Sequence, residues 1–164
     1  TSPILRAKRT AEILIKDLGE NIPLTVVDGL MEFDLGTMEG QKFVDLEKQI
    51  PDVIHAFRNE PDKYDYHKIQ AESFQSVIKR SNEAVNDIVA HTPQDASILL
   101  VSHGAALVTM IQSLLGAKLA DLRKNGGLSN TSLTHLKYKS GKYTLVEWNE
   151  TKYLNKKLES SDTI

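Results

Sequence analysis

The feature that most constrains the fold is a short, unbroken apolar run, Ser97–Val101, which leads directly into a second apolar stretch from Gly104 to Leu115. A run of this length without alternation is typical of a strand buried on both faces, as in a parallel sheet. The stretch that follows is long enough for a helix, and Gly116 is a residue type that commonly ends one. A strand that feeds a helix in this way predicts an α/β fold with a mostly parallel central sheet flanked by helices.

Other segments agree with this fold class. Ser2 is a good N-cap and Pro3 a good first helical residue, and the apolar residues that follow recur at spacings of three and four as far as a stop at Gly19. Near the C-terminus, two alternating segments are joined by Ser140-Gly141, which indicates a hairpin or two edge strands. The predicted elements are helices at 3–18, 43–49, 52–58, 73–91 and 104–115, strands at 24–27, 97–101, 132–138 and 143–148, and loops at 29–40 and 61–69.

Size and composition limit the classes of protein that fit. The chain has 164 residues, enough for one domain with a core, which we place at residues 1–151 ahead of a polar tail at 152–164. The formal net charge of −2 argues against a nucleic-acid or membrane-surface binder, because such proteins usually carry a basic patch. The absence of cysteine excludes disulfide scaffolds, thiolate zinc sites and cysteine nucleophiles. Without a visible signal peptide, these features predict a cytoplasmic protein.

Arg6 is the first residue with a candidate chemical role. It lies in the first turn of a predicted helix, where the positive end of the helix dipole makes a cation unfavourable by roughly 0.3–1 kcal/mol. A bound anion would reverse that sign, since helix N-termini and arginine both bind phosphate well. The alternative is an ordinary solvated arginine on the surface.

The triplet Ser102-His103-Gly104 is the second candidate. It follows the apolar strand at its carboxyl end, which is the edge where open α/β sheets bind ligands. Gly104 allows close approach of the backbone, and His103 could contact a phosphoryl oxygen or transfer a proton. The alternative for His103 is a structural histidine or a helix cap. The other four histidines lack this context, and we take them as surface or core residues.

Glu32 is the third candidate. Glycines follow it after four and eight residues, at Gly36 and Gly40, which suggests a fixed loop that orients a carboxylate. A carboxyl group of this kind could act as a general acid if its pKa is raised. A solvated acidic loop is the alternative.

In combination these segments resemble the histidine phosphatase superfamily, whose members are phosphoglycerate-mutase-like. The resemblance covers nearly the whole chain as far as Trp148, and its motifs occur in the family's order. Residues Leu128 to Thr131 resemble the late loop near the phosphate pocket, and Glu72-Ser73 followed by Arg80 resembles the start of the family's long helix. The three principal motifs are Thr1-Ser2-Pro3-Ile4-Leu5-Arg6-Ala7-x-x-Thr10-Ala11, Glu32-x-x-x-Gly36-x-x-x-Gly40 and Val101-Ser102-His103-Gly104.

The resemblance implies a mechanism. A histidine in an Arg-His-Gly motif attacks the phosphoryl group and forms a phosphohistidine, while two arginines and a second histidine hold the phosphoryl oxygens. A carboxylic acid protonates the leaving alcohol. Arg6 corresponds to the second arginine, His103 to the second histidine and Glu32 to the acid, so these three are the expected catalytic residues. Expected contacts to substrate come from Arg6, His103, Gly104, Asn130 and Thr131.

The same resemblance implies that no metal or other cofactor is needed. The expected partner is a small phosphorylated substrate or inorganic phosphate, and a homodimer is left open. The sequence departs from the family in one respect: no Arg-His-Gly occurs in the 164 residues. The nucleophilic histidine, the first arginine and the first strand are therefore not in this sequence. We expect an N-terminally incomplete chain that is inactive by itself.

Three functions remain open on this basis. The first is a phosphomonoester hydrolase that acts through a phosphohistidine on small phosphorylated metabolites. The second is a cofactor-dependent phosphoglycerate mutase, although mutases of the family typically carry Arg-His-Tyr after the acid, where this chain has Phe33-Asp34-Leu35. The third is a catalytically inactive phosphate-binding module, which the missing Arg-His-Gly favours.

Overall fold

Helices predominate among the residues that the computed structural model describes, which are 1–19, 21–155 and 163. Much of the predicted tail at 152–164 therefore lies outside the described residues. No helix in the described part is long and apolar enough to cross a membrane. The regular elements are α1 (Leu5–Leu18), α2 (Phe43–Gln49), α3 (Pro51–Asn59), α4 (Phe74–Ala90), α5 (Gly104–Leu114), β1 (Leu133–Lys139) and β2 (Lys142–Glu150). Short 3₁₀ turns lie at Asp28–Leu30, Gly36–Met38, Pro61–Lys63, Tyr66–Ile69 and Leu119–Asp121.

The predicted helix stop at Gly19 is confirmed. Gly19 ends α1 in the left-handed conformation at φ 68°, and the Ser73 hydroxyl accepts a hydrogen bond from the Ser76 amide at the start of α4. The predicted start of α1 is wrong, because the helix begins at Leu5 after Ile4 instead of at Pro3. Ser2 is not its N-cap, since backbone hydrogen bonds hold Thr1 and Ser2 in an extended segment.

The predicted hairpin is confirmed. Strands β1 and β2 pair antiparallel, and the two residues at the tip, Ser140 and Gly141, have φ values of 51° and 79°. Positive φ at both central residues is the requirement of a type I′ turn, which matches the twist of the flanking strands.

The described residues do not form the predicted, mostly parallel central sheet as a hydrogen-bonded ladder. The strands assigned among them are β1 and β2. The segments 24–27 and 97–101 are extended and flank Thr1 and Ser2. The Thr1 amino group donates to Thr25 O at 2.7 Å, the Val27 amide donates to Thr1 O at 2.8 Å, and the Ser2 amide donates to Val101 O at 3.0 Å. The two bonds of Thr1 have the pattern of parallel pairing at a single residue.

The prediction that 97–101 is buried on both faces is wrong. Ile98 is 42% exposed and Leu99 is 55% exposed. Leu100 packs against the core beside α5, whereas Ile98 and Leu99, which point to opposite faces of the extended segment, are both largely exposed.

The core that positions the site surrounds the rings of Phe33, Phe57 and Phe74, whose centroids lie 5.0–5.6 Å apart. It joins the loop after Glu32 to α3, α4 and α5. Gly29 permits this packing, because a Cβ there would lie 2.6 Å from the Cβ of Ala84 on α4. The loop before Glu32 is thereby held directly against α4.

Candidate active site

The carboxylate of Glu32 lies on the N-terminus of α5. Its Oε1 accepts hydrogen bonds from the Ala106 amide at 2.8 Å and from the Phe33 amide at 3.0 Å, and its Oε2 accepts from the Ala105 amide at 3.3 Å. The first amides of a helix lack partners within the helix and favour a negative charge. Glu32 therefore has a fixed position beside the residues that start α5.

Burial raises the pKa of Glu32 above its usual value. The three backbone amides and the charge of Arg6 oppose this effect without cancelling it. A raised pKa brings a carboxyl group closer to the protonation state that a general acid needs. The geometry and the direction of the pKa shift thus agree with the role expected of Glu32.

His103 immediately precedes α5 and is 6% exposed. Its Nε2 lies 2.8 Å from Ser2 Oγ, and that hydroxyl also accepts a hydrogen bond from the Ile4 amide at 3.2 Å. Burial, with the charges of Arg6 and Arg80, lowers the pKa of His103 to about 4. The imidazole is therefore neutral at pH 7 and contributes hydrogen bonds instead of a positive charge.

Arg6 supplies positive charge to this site. It is exposed in the first turn of α1, where no acidic residue offsets it. Its charge acts on both Glu32 and His103, lowering the pKa of each. Glu32 and His103 thus both lie at the start of α5, and the charge of Arg6 at the start of α1 acts on both.

Arg80 holds this arrangement in place. Its guanidinium donates to Gly29 O at 2.9 Å, Met31 O at 2.8 Å and Glu32 O at 3.0 Å. The Nε and Nη2 atoms of the same group bind the Glu72 carboxylate at 2.8 and 2.9 Å. Arg80 therefore fixes the backbone that presents Glu32, a role that the sequence motif by itself did not reveal.

The ionised state of the Glu72 carboxylate fits the role of Arg80 in holding the backbone that presents Glu32. Burial alone would raise its pKa, but hydrogen bonds from Arg80 and Ser76 and the charge of Arg80 hold the pKa below its usual range. Ser102 adds a second link to the same loop, because its hydroxyl donates to Leu30 O at 2.7 Å. The loop before Glu32 is therefore tied to both α4 and the segment that leads into α5.

We expect Glu72→Gln to lower the free energy of unfolding by about 2–3 kcal/mol, because it leaves the partly buried Arg80 without its charged partner. Urea denaturation monitored by circular dichroism measures the change. Glu47→Gln is the matched control, since it breaks the exposed pair with Arg58 and should cost less than about 1 kcal/mol. Equal costs for the two variants would contradict a clamping role for the pair of Glu72 and Arg80.

The loop after Glu32 borders a cleft of about 620 Å³. Gly36 is required there, because its φ is 55° and a Cβ would lie 2.1 Å from Ile69 O. Glu39 accepts a hydrogen bond from the Leu35 amide at 3.1 Å and is exposed. The lining residues are Ile4, Asp28, Met31, Glu32, Phe33, Asp34, Glu39, Ala71, Glu72 and Arg80.

Comparison with known proteins decides the family. The model of the histidine phosphatase superfamily (branch 1) matches residues 1–151. The chain belongs to the histidine phosphatase superfamily. The fold agrees, because the chain superimposes on the mycobacterial glucosyl-3-phosphoglycerate phosphatase complexed with VO3 at a TM-score of 0.81, with 27% identity. That match covers 92% of this chain and 74% of the other.

Two similar superfamily proteins carry different names, one that of a phosphatase and one that of a mutase. The uncharacterized phosphatase PhoE of Bacillus subtilis is 26% identical over 155 residues, which are 94% of this chain and 71% of that protein. The probable phosphoglycerate mutase GpmB of Cronobacter sakazakii is 29% identical over 148 residues, 90% of this chain and 66% of that protein. The chain thus spans about two thirds of the length of these superfamily relatives.

Asn130 and Thr131, which the superfamily resemblance places near the phosphate, are not joined to the other site residues by a described contact. Both are exposed, and Thr131 has a φ of 59°. The neighbouring Ser129 amide donates to Asn149 Oδ1 at 2.7 Å, and the Tyr153 hydroxyl donates to Thr131 O. These contacts fix the loop to β2 and to the segment after it, and the substrate contacts of Asn130 and Thr131 stay a prediction.

Proposed function

We propose that this chain carries the acid and the phosphate-binding groups of a phosphomonoester hydrolase. The observation that supports this most directly is the position of Glu32, whose carboxylate accepts hydrogen bonds from the first amides of α5, next to His103. The charge of Arg6 also acts on this carboxylate and lowers its pKa. Phosphoryl transfer needs a held phosphoryl group, neutralisation of its charge and a proton for the leaving oxygen. Arg6, His103 and Glu32 are residue types that can supply these three needs.

The proposed substrate is a small phosphorylated metabolite, and the reaction passes through a phosphohistidine. The attacking histidine would belong to an Arg-His-Gly segment that this sequence does not contain. Arg6 and the Gly104 amide would hold phosphoryl oxygens, and neutral His103 would donate a hydrogen bond to one of them. Glu32 would protonate the leaving alcohol and then, as a carboxylate, take a proton from the water that attacks the phosphohistidine.

The proposed reaction needs no metal. We treat residues 1–151 as one cytoplasmic domain, with the extended segments 24–27, 1–2 and 97–101 as part of a mostly parallel sheet. The hydrogen bonds of Thr1 and Ser2 to both neighbouring segments support this arrangement.

A phosphoglycerate mutase is the second candidate, because the relative GpmB carries that name. The loop from Glu32 to Gly40 has no arginine or lysine that could bind a second acidic group of a mutase substrate. Phe33, at the position after the acid, is 2% exposed and packs in the aromatic core. The hydrolase therefore fits this loop better. The third candidate, an inactive phosphate-binding module, has the same pocket and differs in turnover alone.

We expect Arg6→Ala to weaken binding of inorganic phosphate roughly 10–100-fold, the loss that goes with a hydrogen bond between charged groups. Isothermal titration calorimetry of the chain measures the affinity. Without phosphate the variant should be at least as stable as the parent, because a cation in the first turn of α1 is unfavourable.

Lys16→Ala is the control for the Arg6 experiment. It removes the same charge from the other end of α1, where a cation is favourable, and should leave phosphate affinity unchanged. Unchanged affinity in Arg6→Ala, or an equal loss in both variants, would contradict the proposed phosphate site.

A further inference from the structure

The hydroxyl group of Ser2 links the N-terminal segment to the histidine of the candidate site. Its Oγ lies 2.8 Å from His103 Nε2 and accepts a hydrogen bond from the Ile4 amide at 3.2 Å. Ser2 is fully buried, and its own amide donates to Val101 O at 3.0 Å. The surrounding backbone therefore holds the hydroxyl against one nitrogen of the imidazole.

The hydroxyl hydrogen of Ser2 decides which ring nitrogen of His103 is protonated. A serine hydroxyl donates one hydrogen bond, and no described carbonyl or carboxylate oxygen accepts one from Ser2. If His103 Nε2 carried a hydrogen and donated it, the hydroxyl hydrogen would be buried without an acceptor, which is costly. Every group is satisfied when the Ser2 hydroxyl donates to an unprotonated Nε2. The neutral imidazole then carries its hydrogen on Nδ1.

Nδ1 is the ring nitrogen of His103 that is left for a ligand. Among the described residues it has no hydrogen-bond partner, and the atom keeps some contact with solvent. Burial, with the charges of Arg6 and Arg80, lowers the pKa of His103 to about 4, so a second ring hydrogen is not present at pH 7. A neutral imidazole has a single donor, and its tautomer decides which side of the ring offers it.

We propose that Ser2 is a positioning residue that fixes the Nδ1-protonated tautomer of His103 and so makes Nδ1–H the donor to a phosphoryl oxygen. With the other tautomer, the lone pair of Nδ1 would face that oxygen and repel it. The inference rests on the proposed function, because it takes the phosphoryl group to lie between Arg6 and the start of α5. Ser2 acts on the substrate only through His103.

Nitrogen-15 NMR of the 164-residue chain at pH 7 observes the tautomer directly, because protonated and unprotonated imidazole nitrogens resonate far apart. The signals of His103 are assigned by their absence in His103→Asn. We expect Nδ1 to be the protonated nitrogen in the parent chain. Ser2→Ala removes the donor to Nε2, and the hydrogen should then move largely to Nε2, the nitrogen that a free histidine side chain favours. A merely structural role of Ser2 would leave the tautomer unchanged.

Inorganic phosphate gives the second readout. Its addition to the parent chain should shift the resonances of Nδ1 and its hydrogen without moving the hydrogen to Nε2. Calorimetry of Ser2→Ala should show phosphate binding weakened roughly 3–10-fold, about the net contribution of one ordinary hydrogen bond. Ser2→Thr keeps the hydroxyl on an extended backbone, which suits a β-branched residue, and should keep both the tautomer and the affinity.

Ser102→Ala is the matched control for the tautomer. It removes a serine hydroxyl from the residue next to His103, but that hydroxyl donates to Leu30 O and not to the imidazole. The hydrogen should therefore stay on Nδ1 in this variant. Loss of the Nδ1-protonated tautomer in Ser102→Ala, to the same extent as in Ser2→Ala, would contradict a specific role of Ser2.

The other outcomes separate this inference from the proposed function. A parent chain protonated at Nε2, or a Ser2→Ala variant that keeps the hydrogen on Nδ1, would overturn the inference while phosphate binding at Arg6 stands. Phosphate binding that leaves the Nδ1 resonance unmoved would overturn it in the same way. Failure of the parent chain to bind phosphate would overturn the proposed phosphate site, and with it the role of Nδ1–H, whatever the tautomer.

Discussion

The 164-residue chain, made alone, is expected to show no turnover of p-nitrophenyl phosphate. The proposed mechanism requires a histidine nucleophile in an Arg-His-Gly motif, which this sequence lacks. Of its five histidines, His103 is buried with Nε2 against Ser2 Oγ, and the other four are exposed. Steady-state release of p-nitrophenolate, measured with EDTA present, tests this expectation.

The positive control is a polypeptide with an Arg-His-Gly segment ahead of Thr1, which should hydrolyse the same substrate in EDTA. Robust activity of the 164-residue chain in EDTA would mean that one of its own residues is the nucleophile. His103→Asn would then decide whether that residue is His103. Inactivity of the longer polypeptide would favour the phosphate-binding module over the hydrolase.

Local signals were sufficient to predict most of the helices and the hairpin. The stop at Gly19 and the turn at Ser140-Gly141 act through neighbouring residues, so the sequence shows them directly. The start of α1 was mispredicted for the opposite reason. Thr1 and Ser2 take their conformation from hydrogen bonds to Thr25, Val27 and Val101, which are distant in sequence.

The burial of the apolar run at 97–101 depends in the same way on distant partners. Its composition predicts a strand covered on both faces, but coverage requires other elements to pack on it. In the structure Ile98 and Leu99 are exposed, although the run still leads into α5 as predicted. Periodicity thus identified the element and its position in the chain, while its surroundings could not follow from periodicity.

The candidate site was likewise predictable from the sequence only in part. Residue types and motif order were enough to select Glu32 and His103, which both lie at the start of α5, and Arg6, whose charge acts on both. The contacts of Arg80 with the carbonyl oxygens of Gly29, Met31 and Glu32 were not predictable, because about fifty residues separate the partners and carbonyl oxygens carry no sequence signal.

Glu32→Gln, in a polypeptide that carries the Arg-His-Gly segment, is expected to slow phosphorylation by alkyl phosphates by ~10²–10⁴-fold, the usual contribution of a positioned general acid. An alkoxide leaves only with a proton, whereas p-nitrophenolate leaves with little help. Phosphorylation of the enzyme by p-nitrophenyl phosphate should therefore suffer much less. The raised pKa of Glu32 and the hydrogen bonds that its carboxylate accepts from the Ala105 and Ala106 amides support this assignment.

The two chemical steps must be separated, because Glu32 would also act as the base when water attacks the phosphohistidine. A burst measurement gives the phosphorylation rate apart from hydrolysis of the phosphoenzyme. Glu39→Gln is the matched control, since Glu39 is an exposed carboxylate in the same loop that accepts a hydrogen bond from the Leu35 amide. Equal losses with both substrates in the phosphorylation step of Glu32→Gln would indicate a displaced loop or lost binding. A leaving-group-dependent loss in Glu39→Gln, with Glu32→Gln unaffected, would assign the acid to Glu39, which lines the same cleft.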